Sequence, residues 1–161
     1  MAVFMAAIGN GGTLYRPRIL TAITDSNGNV IEALPPEVNG RLPASPETLQ
    51  MIQEGLFNVV QGPHGTARRI KSTQFDISGK TGTAQVFSIK SGETIDQETL
   101  IHTLRDHAWF VAYAPSQQPV IAVSVIIEHG EHGSSTAAPI AGKLIEQYLQ
   151  NTLTNRSSAG E

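Results

Sequence analysis

Apolar residues recur along this chain with two periods, one near 3.6 and one of 2, and the switches between them mark out its elements. Met1 to Ile8, MAVFMAAI, is apolar all round, the pattern of a buried helix, and Gly9-Asn10-Gly11-Gly12 then supplies a C-cap and turn. From Arg18 to Ile31 apolar and polar positions alternate around an Asp25 to Gly28 turn, which predicts a hairpin. Pro35-Pro36 and Pro43 punctuate a connector to Ser45-Pro46, an N-cap followed by proline in the first helical turn. Leu49, Ile52, Leu56, Val59 and Val60 mark one face of the helix that follows, which ends before Gly62-Pro63.

Gly65 to Arg69 reads as a turn into a short helix, and Phe75 to Val86 as a strand. Ser88 to Glu98 is polar and aperiodic, the pattern of an exposed loop. Two further β segments, His107 to Ala114 and Val120 to Glu128, are joined across Pro115 to Gln118. VIAVSVII in the second is apolar enough for an interior strand. After the loop HGEHGSS, a closing helix from about Thr136 carries a stripe of Ile140, Ala141, Leu144, Ile145, Tyr148 and Leu149. Three consecutive β segments between helices predict an α+β domain, an antiparallel sheet flanked by helices, over residues 1–150; Asn151 to Glu161 is a polar tail expected to be disordered.

Composition narrows the function classes. At 161 residues with 40% hydrophobic positions, the chain is one domain long and able to bury a core. A net charge of -3, with basic residues scattered, gives no electrostatic footprint for nucleic acid. Cysteine is absent, which removes disulfides and thiolate chemistry and fits cytoplasm or periplasm equally. No run approaches the roughly 18 apolar residues that cross a bilayer. The first helix starts fully apolar with nothing ahead of it to cap its first turn, as expected of the second half of a longer helix and therefore of a fragment. A frayed but complete N-terminus is the alternative.

The chemistry concentrates in DISGKTGTAQV, Asp76 to Val86. Strand interiors avoid glycine, so Gly79 and Gly82 demand a reason. A phosphate loop would need a glycine five positions before Gly79 and a helix right after Thr81, but Gln74 stands at the first place and Gly82 at the second. What remains is close approach by another backbone. Thr81 and Thr83 share one face with Gly82 between them, and Lys80 faces the other way. Such a strand can offer hydroxyls to a carboxylate and its edge N–H and C=O groups to an extended peptide. Other candidates weigh less: His129 and His132 with Glu128 and Glu131 are too loosely spaced for a metal site, Trp109 reads as core or cleft wall, and Asp106 and His107 as strand neighbours point apart. Arg68 and Arg69 read as a solvated helix face. No cofactor or metal is expected.

MAVFMAAIGNGGTLYRP, VVQGPHGTA, GKTGTAQV, RDHAWFVAYAP and VIIEHG, in that order over most of the chain, resemble the C-terminal part of the transpeptidase domain of class B penicillin-binding proteins, and most of all the penicillin-binding protein 2 group of cell elongation. The resemblance implies a partial penicillin-binding protein transpeptidase (serine β-lactamase-like) fold. That family uses S-x-x-K, S-x-N and K-T/S-G. Only the last is present, at Lys80-Thr81-Gly82: no serine has lysine three positions on or asparagine two positions on, so the chain carries no nucleophile and is expected to be inactive alone.

By resemblance, Lys80 supports the electrostatics of the cleft, Thr81, Gly82 and Thr83 bind the substrate or β-lactam carboxylate, and the Thr83 N–H supplies half of the oxyanion hole. The implied partners are peptidoglycan stem peptides ending in D-Ala-D-Ala, β-lactam antibiotics, and cell-elongation proteins including a glycosyltransferase. The implied location is the periplasmic face of the bacterial inner membrane. A noncatalytic β-lactam sensor, or a D,D-carboxypeptidase or β-lactamase, shares the fold; the upstream sequence would separate a sensor, and Arg105 to Pro115 speaks against the hydrolases. In the family further strands pack beside the last one, so Val120 to Glu128 is expected to form an unprotected edge here.

Overall fold

The computed structural model describes residues 1–86 and 104–158. The expected loop from Ser88 to Glu98 lies outside them. Helix α1 (Ala2–Gly9) leads into β1 (Thr13–Tyr15), β2 (Ala22–Thr24), β3 (Val30–Ala33) and β4 (Val38–Arg41). Then come α2 (Pro46–Gln61), β5 (Ser78–Ala84), β6 (His107–Ala114), β7 (Ile121–Ile127) and α3 (Ala138–Ser158). The principal sheet is antiparallel in the order β5-β6-β7, with helices packed on it, as an α+β domain requires.

Local chemistry sets the elements. Ser45 caps α2, its hydroxyl accepting from the Thr48 N–H at 3.2 Å, with Pro46 in the first turn. Asn10 closes the turn after α1 with two bonds to Thr13, donating to its carbonyl at 2.9 Å and accepting from its N–H at 2.8 Å. Asp25 holds the β2–β3 turn by accepting from the N–H groups of Asn27 and Asn29. The short β1–β4 pair, Thr13 opposite Arg41, has no counterpart in the sequence reading, because the β2–β3 hairpin lies between the two strands and no turn joins them directly.

The sheet separates two apolar clusters. On one face Phe110, Ala108 and Ala112 pack with Val60, Ile77, Ala137, Ala141 and Ile145. On the other Val111 and Tyr113 pack with Met5, Ile8 and Leu56. Each fully buried large side chain contributes about 1.5–3 kcal/mol.

Four expectations are corrected here. Helix α1 buries only one side: Met5, Ala7 and Ile8 meet the sheet, whereas Val3 and Phe4 face outward. In α2, Ile52 points away from the core that takes Leu49, Leu56 and Val60. In α3 the buried line is Ala138, Ala141, Ile145 and Leu149; Ile140, Leu144 and Tyr148 lie on its exposed flank, since the sheet touches a narrower stripe than the sequence offers. This helix also continues through Asn151 to Ser158, into the segment expected to be disordered, with the Thr152 and Thr154 hydroxyls donating to the carbonyls one turn back.

Among the described residues β7 pairs with β6 alone, so its outer edge carries unpaired backbone groups along an uncharged run. Concentration-dependent self-association is expected in sedimentation, with Ile126→Lys shifting the chain toward monomer; a monomer at every concentration would show that this edge is protected. Tyr113 is 1% exposed, and burial raises its hydroxyl pKa above the ordinary 10.0, opposed in part by a hydrogen bond from Ser78. The unfolded chain therefore releases this proton first. Stability linked to Tyr113 is complete below pH 10 and declines as pH rises from 10 toward the higher folded value. Melting temperatures across that window are expected to fall less steeply for Tyr113→Phe than for the unaltered chain.

Candidate active site

Among the described residues β5 is paired on one side only, with β6. Its register sets Lys80 opposite Val111, Thr81 opposite Phe110, Gly82 opposite Trp109 and Thr83 opposite Ala108. Side chains alternate, so Lys80 and Gly82 share the face of Val111 and Trp109, while Thr81 and Thr83 share the face of Phe110 and Ala108. Helix α2 lies beside β5.

The two glycines have different causes. A Cβ on Gly79 would stand 2.6 Å from Phe110 Cζ and 2.8 Å from the Val111 carbonyl oxygen, so the close approach there is made by the protein's own core. A Cβ on Gly82 would meet Trp109 Cβ at 3.4 Å, an ordinary contact, and no core packing excludes it. The absence of a side chain at Gly82 therefore leaves space on the Lys80 face. Behind it sits Gly133, whose own Cβ position would be 2.3 Å from the Trp109 oxygen and 2.6 and 3.0 Å from the Gly82 oxygen and nitrogen. Gly82 thus turns its polar backbone atoms toward β6, and alternation turns those of Thr81 and Thr83 to the open edge.

At that edge Lys80 is exposed and its ammonium donates to the Thr81 carbonyl at 2.8 Å. The Thr81 hydroxyl meets that of Thr66 at 3.3 Å. Lys80 and Thr66 line a cavity of about 360 Å³ with Asn58, Val59, Gly62 and His64. Thr83 stands one step further along, exposed. A cation, two hydroxyls and N–H donors unpaired among the described residues, at one strand edge, can hold an anionic, extended ligand.

Thr66 falls in the segment VVQGPHGTA but is not among the sequence-predicted site residues; its only signal is the glycine-threonine step after VVQGPH. Arg68 is more than a solvated face, since its guanidinium donates to the Pro63 carbonyl at 2.6 Å and braces this turn. Trp109 donates through Nε1 to Ser124 at 3.0 Å and packs against the second cluster. Asp106 is buried and accepts from the Val86 N–H at 3.4 Å, while His107 Nδ1 accepts from the His129 N–H at 2.9 Å. Glu131 is engaged by Arg105 at 2.5 Å. Among the described residues no group of three or more His, Asp and Glu is placed to hold a metal ion.

The penicillin binding protein transpeptidase domain matches residues 1–146. The chain belongs to that family. Peptidoglycan D,D-transpeptidase MrdA of Haemophilus influenzae is 39% identical over 150 residues, covering 89% of this chain and 22% of that protein. Penicillin-binding protein 2 of Pseudomonas aeruginosa, solved in complex with WCK 5153, superposes with a TM-score of 0.67 and 33% identity over 90% of this chain and 28% of the other. Penicillin-binding protein A of Mycobacterium tuberculosis, solved as a ceftriaxone acyl-enzyme, gives 0.68 and 27% over 90% of this chain and 30% of the other. The chain therefore spans about a quarter of the length of these relatives, and its α+β architecture is that of the penicillin-binding transpeptidase domains.

The contrast between the glycines is testable by thermal melting. Gly79→Ala must displace Phe110 or the strand and is expected to destabilise by about 1–3 kcal/mol, as overpacked cores do. Gly82→Ala is expected to leave the melting temperature close to that of the unaltered chain.

Proposed function

We propose that this chain is the part of a peptidoglycan D,D-transpeptidase that carries the substrate-aligning strand. The observation that carries the reading is the run Lys80-Thr81-Gly82-Thr83 on the open edge of β5, in a chain 39% identical to a D,D-transpeptidase. In the complete enzyme a serine hydroxyl attacks the carbonyl of a D-Ala-D-Ala stem, the terminal D-Ala leaves, and an amine of a neighbouring stem takes the acyl group. A β-lactam enters the same first step and stays as an acyl-enzyme, the state recorded for the M. tuberculosis relative.

In this reading Lys80 supplies positive charge to the cleft and Thr81, with Gly82 and Thr83, holds the stem or β-lactam carboxylate. The Thr83 N–H donates to the oxyanion that develops on the attacked carbonyl, a contribution of about 3 kcal/mol to the barrier in comparable acyl transfers. The nucleophile is not in this chain, since no serine is followed by lysine at the family's spacing. The remaining partners follow the family: cell-elongation proteins including a glycosyltransferase, at the periplasmic face of the inner membrane.

Fluorescent penicillin tests the reading directly. The chain alone is expected to take up no covalent label, and a stoichiometric adduct would show a nucleophile of its own. A chimera in which this chain replaces the matching 150 residues of H. influenzae MrdA is expected to label. In it Lys80→Ala should slow acylation by about 100-fold with an unchanged melting temperature. Equal losses of rate and stability would make Lys80 structural.

A further inference from the structure

The loop between β7 and α3 bears on β5 from behind. Gly133 opens a π-helical turn, Gly133–Ala137, and is buried with its α-carbon against the Gly82–Trp109 backbone. Any side chain there would collide with three main-chain atoms, the Trp109 oxygen at 2.3 Å and the Gly82 oxygen and nitrogen at 2.6 and 3.0 Å. Main-chain atoms of a paired strand cannot swing aside as a side chain would.

The loop is fastened where it leaves β7. The Glu131 N–H donates to the Asp106 carbonyl at 2.8 Å, and the Glu131 carboxylate pairs with Arg105 at 2.5 Å. The His129 N–H donates to His107 Nδ1 at 2.9 Å, and His129 Nδ1 lies 3.2 Å from the Arg105 carbonyl. The Thr136 hydroxyl donates to the Gly130 carbonyl at 2.9 Å. His129 and Glu131 adopt φ of 56° and 64°, left-handed values that non-glycine residues hold only when their surroundings impose them.

The Gly82 carbonyl and the Thr83 N–H belong to one planar peptide unit. Fixing the oxygen from behind therefore fixes the direction of the N–H in front. We propose that Gly133 is a positioning residue for the Thr83 N–H, seated by the Arg105–Glu131 and His107–His129 contacts, and that the β7–α3 loop thereby sets the aim of the oxyanion donor. The inference rests on the reading of Thr83 given under the proposed function.

Two measurements separate them. In the full chain, labelled with nitrogen-15, Gly133→Ala and the milder Glu131→Gln are expected to shift the Thr83 amide resonance, more in the first than in the second. An unmoved Thr83 amide in both variants would overturn the positioning role whatever the chain's function. In the MrdA chimera, Gly133→Ala is expected to slow acylation by fluorescent penicillin at least about tenfold while reversible binding stays within about twofold. Glu131→Gln should slow the same step by a smaller factor. Acylation within about twofold of the parent in both folded variants, or a loss confined to binding, would overturn the proposal. Should Gly133→Ala fail to fold, Glu131→Gln carries both measurements. A parent chimera that takes no label rejects the transpeptidase reading and leaves the amide measurement to decide the positioning role.

Discussion

The structure depends on β5 being hydrogen-bonded along one side and open along the other among the described residues. Seven consecutive register positions tie it to β6, from Ser78 opposite Tyr113 to Ala84 opposite His107, so the strand cannot slide or twist freely. The same pairing leaves alternate N–H and C=O groups facing outward. An edge of that kind is a hazard on most proteins, because it invites any extended chain. Here it is short, polar and flanked by α2, and Lys80, Thr81 and Thr66 occupy it.

Rigidity at this edge is produced from both faces of the sheet. Phe110 fills the space that a side chain at Gly79 would need, and the cluster around Ile145 and Ala141 backs it. Val111 and Tyr113 meet Met5, Ile8 and Leu56 on the other side. Approaches close enough to require glycine occur at Gly79, against Phe110 and the Val111 oxygen, and again at Gly133, against the backbone of Gly82 and Trp109. A strand held in this way can present donors in fixed directions, which is what acyl transfer asks of an oxyanion hole.

How much of this the sequence made legible varied with the kind of signal. The long segments are legible for two reasons: in α2, with its Ser45 cap, burial and period agree over several turns, and β6 and β7 are continuous apolar runs of strand length bounded by turn residues. Helix α1 was misjudged because an all-apolar run carries no phase, and only contact with the sheet decides which side is buried. Lys80, Thr81 and Thr83 were legible as a motif on a strand. Thr66 is not, since its meeting with Thr81 joins a turn after α2 to a strand position 15 residues further on. Gly133 carries no sequence signal beyond its place in a loop, because its contribution is an absent atom. The Arg105–Glu131 pair was hidden for a related reason: both lie in polar loops, and sequence gives no measure of which loops touch.

The chain has a single tryptophan, and the fold has put it beside the strand that matters. Trp109 stands opposite Gly82, on the Lys80 face, with its indole N–H tied to Ser124 on β7. Trp109 is therefore linked on both sides, to β5 by backbone register and to β7 through its indole N–H. Its emission is sensitive to the polarity and hydrogen bonding of its surroundings, so an optical signal from an unlabelled sample reports on the packing of β6 against β7 and the second apolar cluster. The fold carries its own spectroscopic gauge, on the strand that pairs with β5.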